Sequence, residues 1–244
     1  NAKLLLSELS VNNISLLESE KTFTITTGHQ LCLFTGPLYF IYKIISTINL
    51  AAELKEKYSK YNFVPVFWMA SEDHDVQEIN HLNLFNKEIV WDHNNQTGPV
   101  GRFSLDNIGD VLSELKAALG DSQYAYKLMN IFKKSYISSN SLADATRCLV
   151  NELFGEYGLI IIDGDDKKLK KELIPIIKKD IVSQGFADLI KSCTKEISNY
   201  YKPQAYIRDI NFFLISNNKR ELIKSNIDSN YIDLHPESFS PNVL

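Results

Sequence analysis

Two short polar stretches hold the residues of this chain best suited to chemistry: TGHQLCLFTG, from Thr27 to Gly36, and SEDHD, from Ser71 to Asp75. The first crowds two glycines, a histidine, a glutamine and two threonines between hydrophobic segments. Gly28 and Gly36 would let a bound group come close to the backbone. Thr35 or Gly36 falls where a helix N-cap is expected, so free N–H groups and the helix dipole would face an anion. Gln30 adds an amide, and His29 can donate to a developing negative charge or act as a general acid. This is the chemistry of a phosphate or carboxylate site. A plain turn with a capping threonine uses the same residue types, and this stretch alone does not separate the two.

The second stretch places Glu72, Asp73 and Asp75 beside His74 and Ser71. Like charges this close raise one another's pKa, and a cation, a metal or a role in reaction relieves the cost. An amine substrate fits, as does Mg²⁺ carried by a nucleotide. The plain alternative is a solvated helix N-terminus, which also favours acidic residues. His74, Glu78 and His81 fall at i, i+4 and i+7 of the helix expected next, but no third histidine lies nearby, so no dedicated metal site is expected. Cys32 sits among Leu31, Leu33 and Phe34, where burial would raise its pKa and silence it. Arg102 and Arg208 stand alone in an arginine-poor chain and suit a bidentate clamp, though surface ion pairs are the commoner fate. Trp68 and Met69 read as core.

The elements that must position these residues follow from hydrophobic periodicity. TFTITT (Thr22–Thr27) is β-branched and reads as a strand. A long helix follows from Pro37, with Ile41, Ile44, Ile45, Ile48 and Ala52 on one face. FVPVFWMA (Phe63–Ala70) reads as a strand buried on both faces of a parallel sheet, so Thr22–Ala70 forms one β-α-β unit. A short strand is expected at Glu88–His93, helices from Asp110 to Tyr157, and a strand in GLIIIDGDD (Gly158–Asp166) ending at Asp163. Helices at about 167–182 and 186–199 and a strand with a turn near Asp209–Asn211 complete the pattern. The fold class is α/β with a Rossmann-like parallel sheet. Strand ends that feed helices share one edge of such a sheet, where ligands bind. The two polar elbows and Asp163 are therefore expected to converge.

Composition narrows the function. At 244 residues, 44% hydrophobic and 23% charged, the chain is an ordinary globular protein. A net charge of -4 and a pI near 5.8 supply no field for nucleic acid or anionic lipid. Lys167, Lys168, Lys170 and Lys171 interleave with acidic residues and read as a solvated helix face. Three widely spaced cysteines point to a reducing, cytoplasmic setting. No apolar run is long enough to span a membrane.

TTGHQLCLFTGPLYFIYKIIS and VPVFWMASEDHDVQEINH, with GPVGR (Gly98–Arg102), LFGEYGLIIID (Leu153–Asp163) and HPESFSPNVL (His235–Leu244), resemble the BshC family, the cysteine ligases of bacillithiol biosynthesis. The resemblance runs from about Thr22 to the C-terminus. It implies a Rossmann-like core akin to class I nucleotidylyl transferases, with largely helical insertions. It also implies addition of L-cysteine to glucosaminyl-malate, driven by ATP or a related nucleotide. Residues 1–108 would be the first part of the core, 109–157 a helical connecting segment, and 158–244 a continuation of the core with a second, truncated connecting region. The chain would then be a fragment of a protein that dimerises through a coiled coil. Many members carry glutamine where this sequence has His29, so an obligatory proton donor is not expected there. Gly28, Gln30, Thr35 and Gly36 are expected to cradle the anion, with Arg102 and Asp163 also binding substrate or nucleotide. Ser71, Glu72, Asp73, His74 and Asp75 would form the amine or metal end. On this reading Gly36→Val abolishes anion binding and leaves the fold intact. A metal-dependent phosphohydrolase or nucleotidyl transferase built on SEDHD, and a non-catalytic nucleotide- or thiol-binding module, are the alternatives.

Overall fold

The computed structural model describes residues 5–183, 185–204, 208, 210, 212–223, 225–226 and 231–232. HPESFSPNVL lies outside them, as does most of the expected turn at Asp209–Asn211. The chain forms two compact units, Asn1–Asp165 and Asp166–Leu244.

The first unit opens with helix α1 (Glu8–Leu16), capped by the Ser7 hydroxyl, which accepts from the Ser10 amide. Strand β1 (Thr22–His29), helix α2 (Leu38–Lys57) and strand β2 (Asn62–Met69) follow. Hairpin strands β3 (His81–Leu84) and β4 (Lys87–Val90), helices α3 (Ile108–Leu119), α4 (Gln123–Ile137) and α5 (Leu142–Phe154), and strand β5 (Ile160–Asp163) complete it.

The central feature is a parallel sheet of order β1-β2-β5. Its register runs from Thr22 opposite Asn62 to His29 opposite Met69, and from Val66 opposite Ile160 to Met69 opposite Asp163. His29, Met69 and Asp163 therefore end level, on one edge. The expected β-α-β unit and the α/β class are what the chain forms.

Helix α2 covers one face through Phe40, Ile44, Thr47 and Ala51, at spacings that hold one stripe of an α-helix. That stripe is turned from the expected one: Ile41 and Ile48 are half-buried and Ile45 is exposed. Phe40 draws the helix round by packing edge-on against Phe67 of β2, with ring centroids 5.3 Å apart. Val64, Val66 and Ile160 line the opposite face with Leu16 and Ile162.

The expected helix after SEDHD does not form. Val76–Glu78 makes one 3₁₀ turn, and the chain enters the β3–β4 hairpin. His74, Glu78 and His81 share no helix face. Phe85 and Asn86 both take positive φ in its two-residue turn, the backbone that matches the twist of a hairpin.

The second unit holds α6 (Lys167–Glu172), α7 (Ile174–Ser183), α8 (Gly185–Ile197) and hairpin β6 (Phe213–Ser216) with β7 (Lys219–Leu222), followed by a short pair at Ser225–Asn226 and Tyr231–Ile232. Asp166 caps α6, its Oδ1 accepting from the Lys168 and Leu169 amides. Lys167, Lys168 and Lys171 are exposed there. The Arg208 guanidinium lies 5.2 Å from the Phe213 ring centroid, a cation–π contact. Among the described residues no helix is long and apolar enough to cross a membrane.

Candidate active site

The three strand ends bring both polar elbows and the turn after β5 to one edge, and a set of hydrogen bonds joins them. The Gln30 side-chain amide donates to Asp73 Oδ2 at 2.8 Å and also to Glu78 Oε2. The Leu33 amide donates to the Ile79 carbonyl at 3.1 Å. Ser71 Oγ donates to Asp163 and accepts from the Asp165 amide, and the Gly164 amide donates to the Met69 carbonyl. The elbows are thus parts of one structure, with Gln30 and Asp73 at the joint.

In the first elbow, Thr35 and Gly36 do not cap the helix. The N-cap is Pro37, which offers no side-chain bond to the first-turn amides. Phe34 (φ 49°), Thr35 (φ 77°) and Gly36 (φ 53°) are three successive left-handed residues. For the two with side chains this costs about 1–3 kcal/mol each. The first-turn N–H groups of a helix such as α2 favour negative charge, although the Phe40 amide is already bonded to the Pro37 carbonyl. Lys43 brings a cation to the same place: its ammonium donates to the Gly28 carbonyl and lies 5.3 Å from the Tyr39 ring centroid. Lys43 is the sole charged residue between Leu38 and Ala52, and no motif in the sequence singles it out.

His29 packs against Phe40, ring centroids 5.2 Å apart, with Nδ1 3.1 Å from the Gln30 carbonyl. Burial, and secondarily the charge of Lys43, lowers its pKa, although the Gln30 contact opposes this. With its Nδ1–H given to the Gln30 carbonyl, a neutral His29 presents Nε2 as an acceptor, so the ring is held in place at the strand end rather than aimed as a donor.

Gly36 is shaped by Cys32: a Cβ at Gly36 would lie 2.4 Å from the Cys32 Cβ. The expectation that Gly36→Val spares the fold is therefore corrected. Cys32 is buried, and desolvation pushes its thiol up to about 11. Iodoacetamide at pH 8 is expected to label exposed Cys193 of the native protein and leave Cys32 untouched until denaturant is added. Mass spectrometry of the labelled peptides checks this, and native labelling of Cys32 would contradict the packing of the elbow.

In the second elbow, Asp73 Oδ1 accepts from the His74 amide at 2.7 Å and more weakly from the Asp75 amide at 3.4 Å. His74 Nδ1 lies 3.0 Å from the Glu72 carbonyl. Asp75 is exposed, whereas Glu72 and Asp73 are half-buried. The Val100 amide donates to the Asp73 carbonyl, and the Gly101 amide to the Ser71 carbonyl. GPVGR therefore buttresses the acidic loop. Gly101 is needed there because a Cβ would sit 2.6 Å from Ser71 Cβ.

Arg102 is committed elsewhere than to a free crevice. It holds Asp165 bidentately, at 2.6 and 3.0 Å. Asp163 is likewise engaged, by Ser71, by the Asp165 amide at 2.9 Å and by Arg147 at 3.4 Å. Arg147 on α5 went unmarked in the sequence, since an arginine within a helix carries no distinguishing signal. Trp68, read as core, is 36% exposed at the end of the central strand. Among the described residues no group of three or more His, Cys, Asp or Glu is placed to hold a metal ion.

A family model described as "Bacillithiol biosynthesis BshC, N-terminal Rossmann-like domain" matches residues 1–244. Proteins named "Putative cysteine ligase BshC" are similar along nearly the whole chain. That of Flavobacterium psychrophilum is 46% identical over 255 residues, covering 98% of this chain and 48% of the relative. That of Christiangramia forsetii is 42% identical, covering 100% and 49%. That of Bacillus cereus strain AH187 is 30% identical, covering 100% and 50%. The chain spans about half the length of these curated relatives.

Proposed function

The chain belongs to the BshC family of bacillithiol biosynthesis, and from that premise we propose that the full-length protein joins L-cysteine to glucosaminyl-malate, driven by ATP or a related nucleotide. Amide formation in water is uphill, so the nucleotide would supply activation of the cysteine carboxylate. The observation that carries this reading is the joint between the elbows: Gln30 of the first ties it to Asp73 of the second. An anion and an amine can then be held side by side.

The residues divide the work. Gly28, Thr35 and Gly36, the first-turn amides of α2 and the ammonium of Lys43 would receive phosphate, with His29 fixed beside them by its bond to the Gln30 carbonyl. Asp73 and Asp75, with His74 and Glu72 beside them, would bind the acceptor's amino group, which sheds its proton before attack, and orient it toward the activated carboxylate, from which the phosphate or AMP departs. Mg²⁺ carried by the nucleotide would neutralise charge between the two ends. Ser71 and Asp163 hold the acidic loop against the sheet. Catalysis in this scheme is positioning and charge stabilisation. The full-length protein is proposed to act as a cytoplasmic homodimer.

The test incubates full-length protein with cysteine and glucosaminyl-malate, with and without ATP and Mg²⁺, and follows products by mass spectrometry. A cysteinyl adduct that forms only with nucleotide is the expected result. ATP turnover without the adduct would point to another acceptor, and absence of both overturns the ligase reading.

A further inference from the structure

Three successive left-handed residues, two of them bearing side chains, do not hold themselves in place, so something outside the elbow must. The Phe34 amide, at the start of the distortion, donates to the Tyr136 hydroxyl at 2.9 Å, and both residues are buried. The Phe34 ring packs against Tyr136 and Phe132, with centroids 4.8 and 5.0 Å apart. The Gly36 amide closes the turn on the Leu33 carbonyl at 2.7 Å. Tyr136 lies on α4, more than a hundred residues along the chain from the elbow it meets. No element of the sheet contributes that bond.

We propose that Tyr136 is a positioning residue: its hydroxyl, through the Phe34 amide, holds the first elbow in the shape that receives the anion. This rests on the reading of that elbow as the anion end of a ligase site. A helix packed for stability alone would be served as well by phenylalanine at this place. The hydroxyl instead satisfies a backbone amide that the left-handed turn denies a backbone partner. The helical segment thereby sets the geometry of a loop it does not adjoin in sequence.

The test compares full-length wild type with Tyr136→Phe and with Met129→Ala, which removes packing from the same face of α4 two turns earlier. Titration calorimetry with ATP is expected to give about a tenfold weaker Kd for Tyr136→Phe, the loss of one buried hydrogen bond expressed at the ligand. The KM for ATP should rise with it while kcat changes less. Met129→Ala should lower the melting temperature and leave affinity near wild type. Hydrogen exchange of the Phe34, Thr35 and Gly36 amides should quicken in ligand-free Tyr136→Phe, with the rest of α4 still protected. Equal weakening in both variants, in step with their stability, would reduce Tyr136 to packing and overturn the proposal, as would unchanged exchange at the elbow. Wild type that takes up no ATP overturns the nucleotide reading itself, and this proposal with it. Wild type that binds, with Tyr136→Phe binding equally well, overturns the positioning role alone.

Discussion

Asp73→Asn in the full-length protein is expected to lower kcat/KM for the proposed ligation about a hundredfold, against about tenfold or less for Asp75→Asn. Asparagine keeps an oxygen where Oδ1 accepts from the His74 amide, so the turn of the acidic loop survives. It removes the charge from a carboxylate that bonds both elbows, to Gln30 in the first and to the His74 amide in the second. Gln30 also donates to Glu78 and can keep that bond, so the stability cost should stay near 1 kcal/mol. Asp75 is exposed, its charge is screened by solvent, and its neutralisation should weaken acceptor binding only. Steady-state assays of the adduct with melting curves of each variant check this. Equal losses in the two variants would remove the special place given to Asp73. A loss that follows the melting temperature would make its role structural.

The contrast between these two aspartates shows what could be read from residues alone. SEDHD announced a cluster of charge. It could not announce that Asp73 faces inward to Gln30 while Asp75 faces water, because the direction of each side chain depends on a loop pinned by Gly101 and Val100. The sheet was more legible. The apolar run of β2 has few ways to bury itself, β-branched TFTITT favours a strand beside it, and a long helix between them leaves parallel pairing. The error after SEDHD arose from short-range ambiguity. Val76, Ile79 and Leu82 recur at a spacing of three, as in a helix, whereas HLNL alternates, as in a strand. The hairpin turn at Phe85–Asn86 settles the matter in favour of strand, and only Asn86 gave a local sign of it. Tyr136 and Lys43 were invisible for another reason. Their roles exist only across distances that folding closes.

The elbow itself gives the largest expected loss of stability. Gly36→Val should destabilise the protein by about 3–5 kcal/mol, the sum of a left-handed backbone forced on a β-branched residue and overpacking against Cys32. Two separate causes are involved, and they can be parted. At φ 53° valine is strained whatever space surrounds it, while its Cβ would lie 2.4 Å from the Cys32 Cβ and 3.3 Å from Sγ. Gly36→Ala keeps both penalties in milder form. Adding Cys32→Gly to it removes the opposing Cβ and leaves the backbone strain. Denaturant unfolding should therefore show partial recovery in the double variant relative to the sum of the two single changes. Full additivity would mean that the contact with Cys32 does not matter and that φ alone selects glycine. A Gly36→Val protein within about 1 kcal/mol of wild type would contradict both causes and the left-handed elbow with them. Glycine at 36 then follows first from how the chain must turn beside Cys32, and the proposed anion site would be a consequence of that turn.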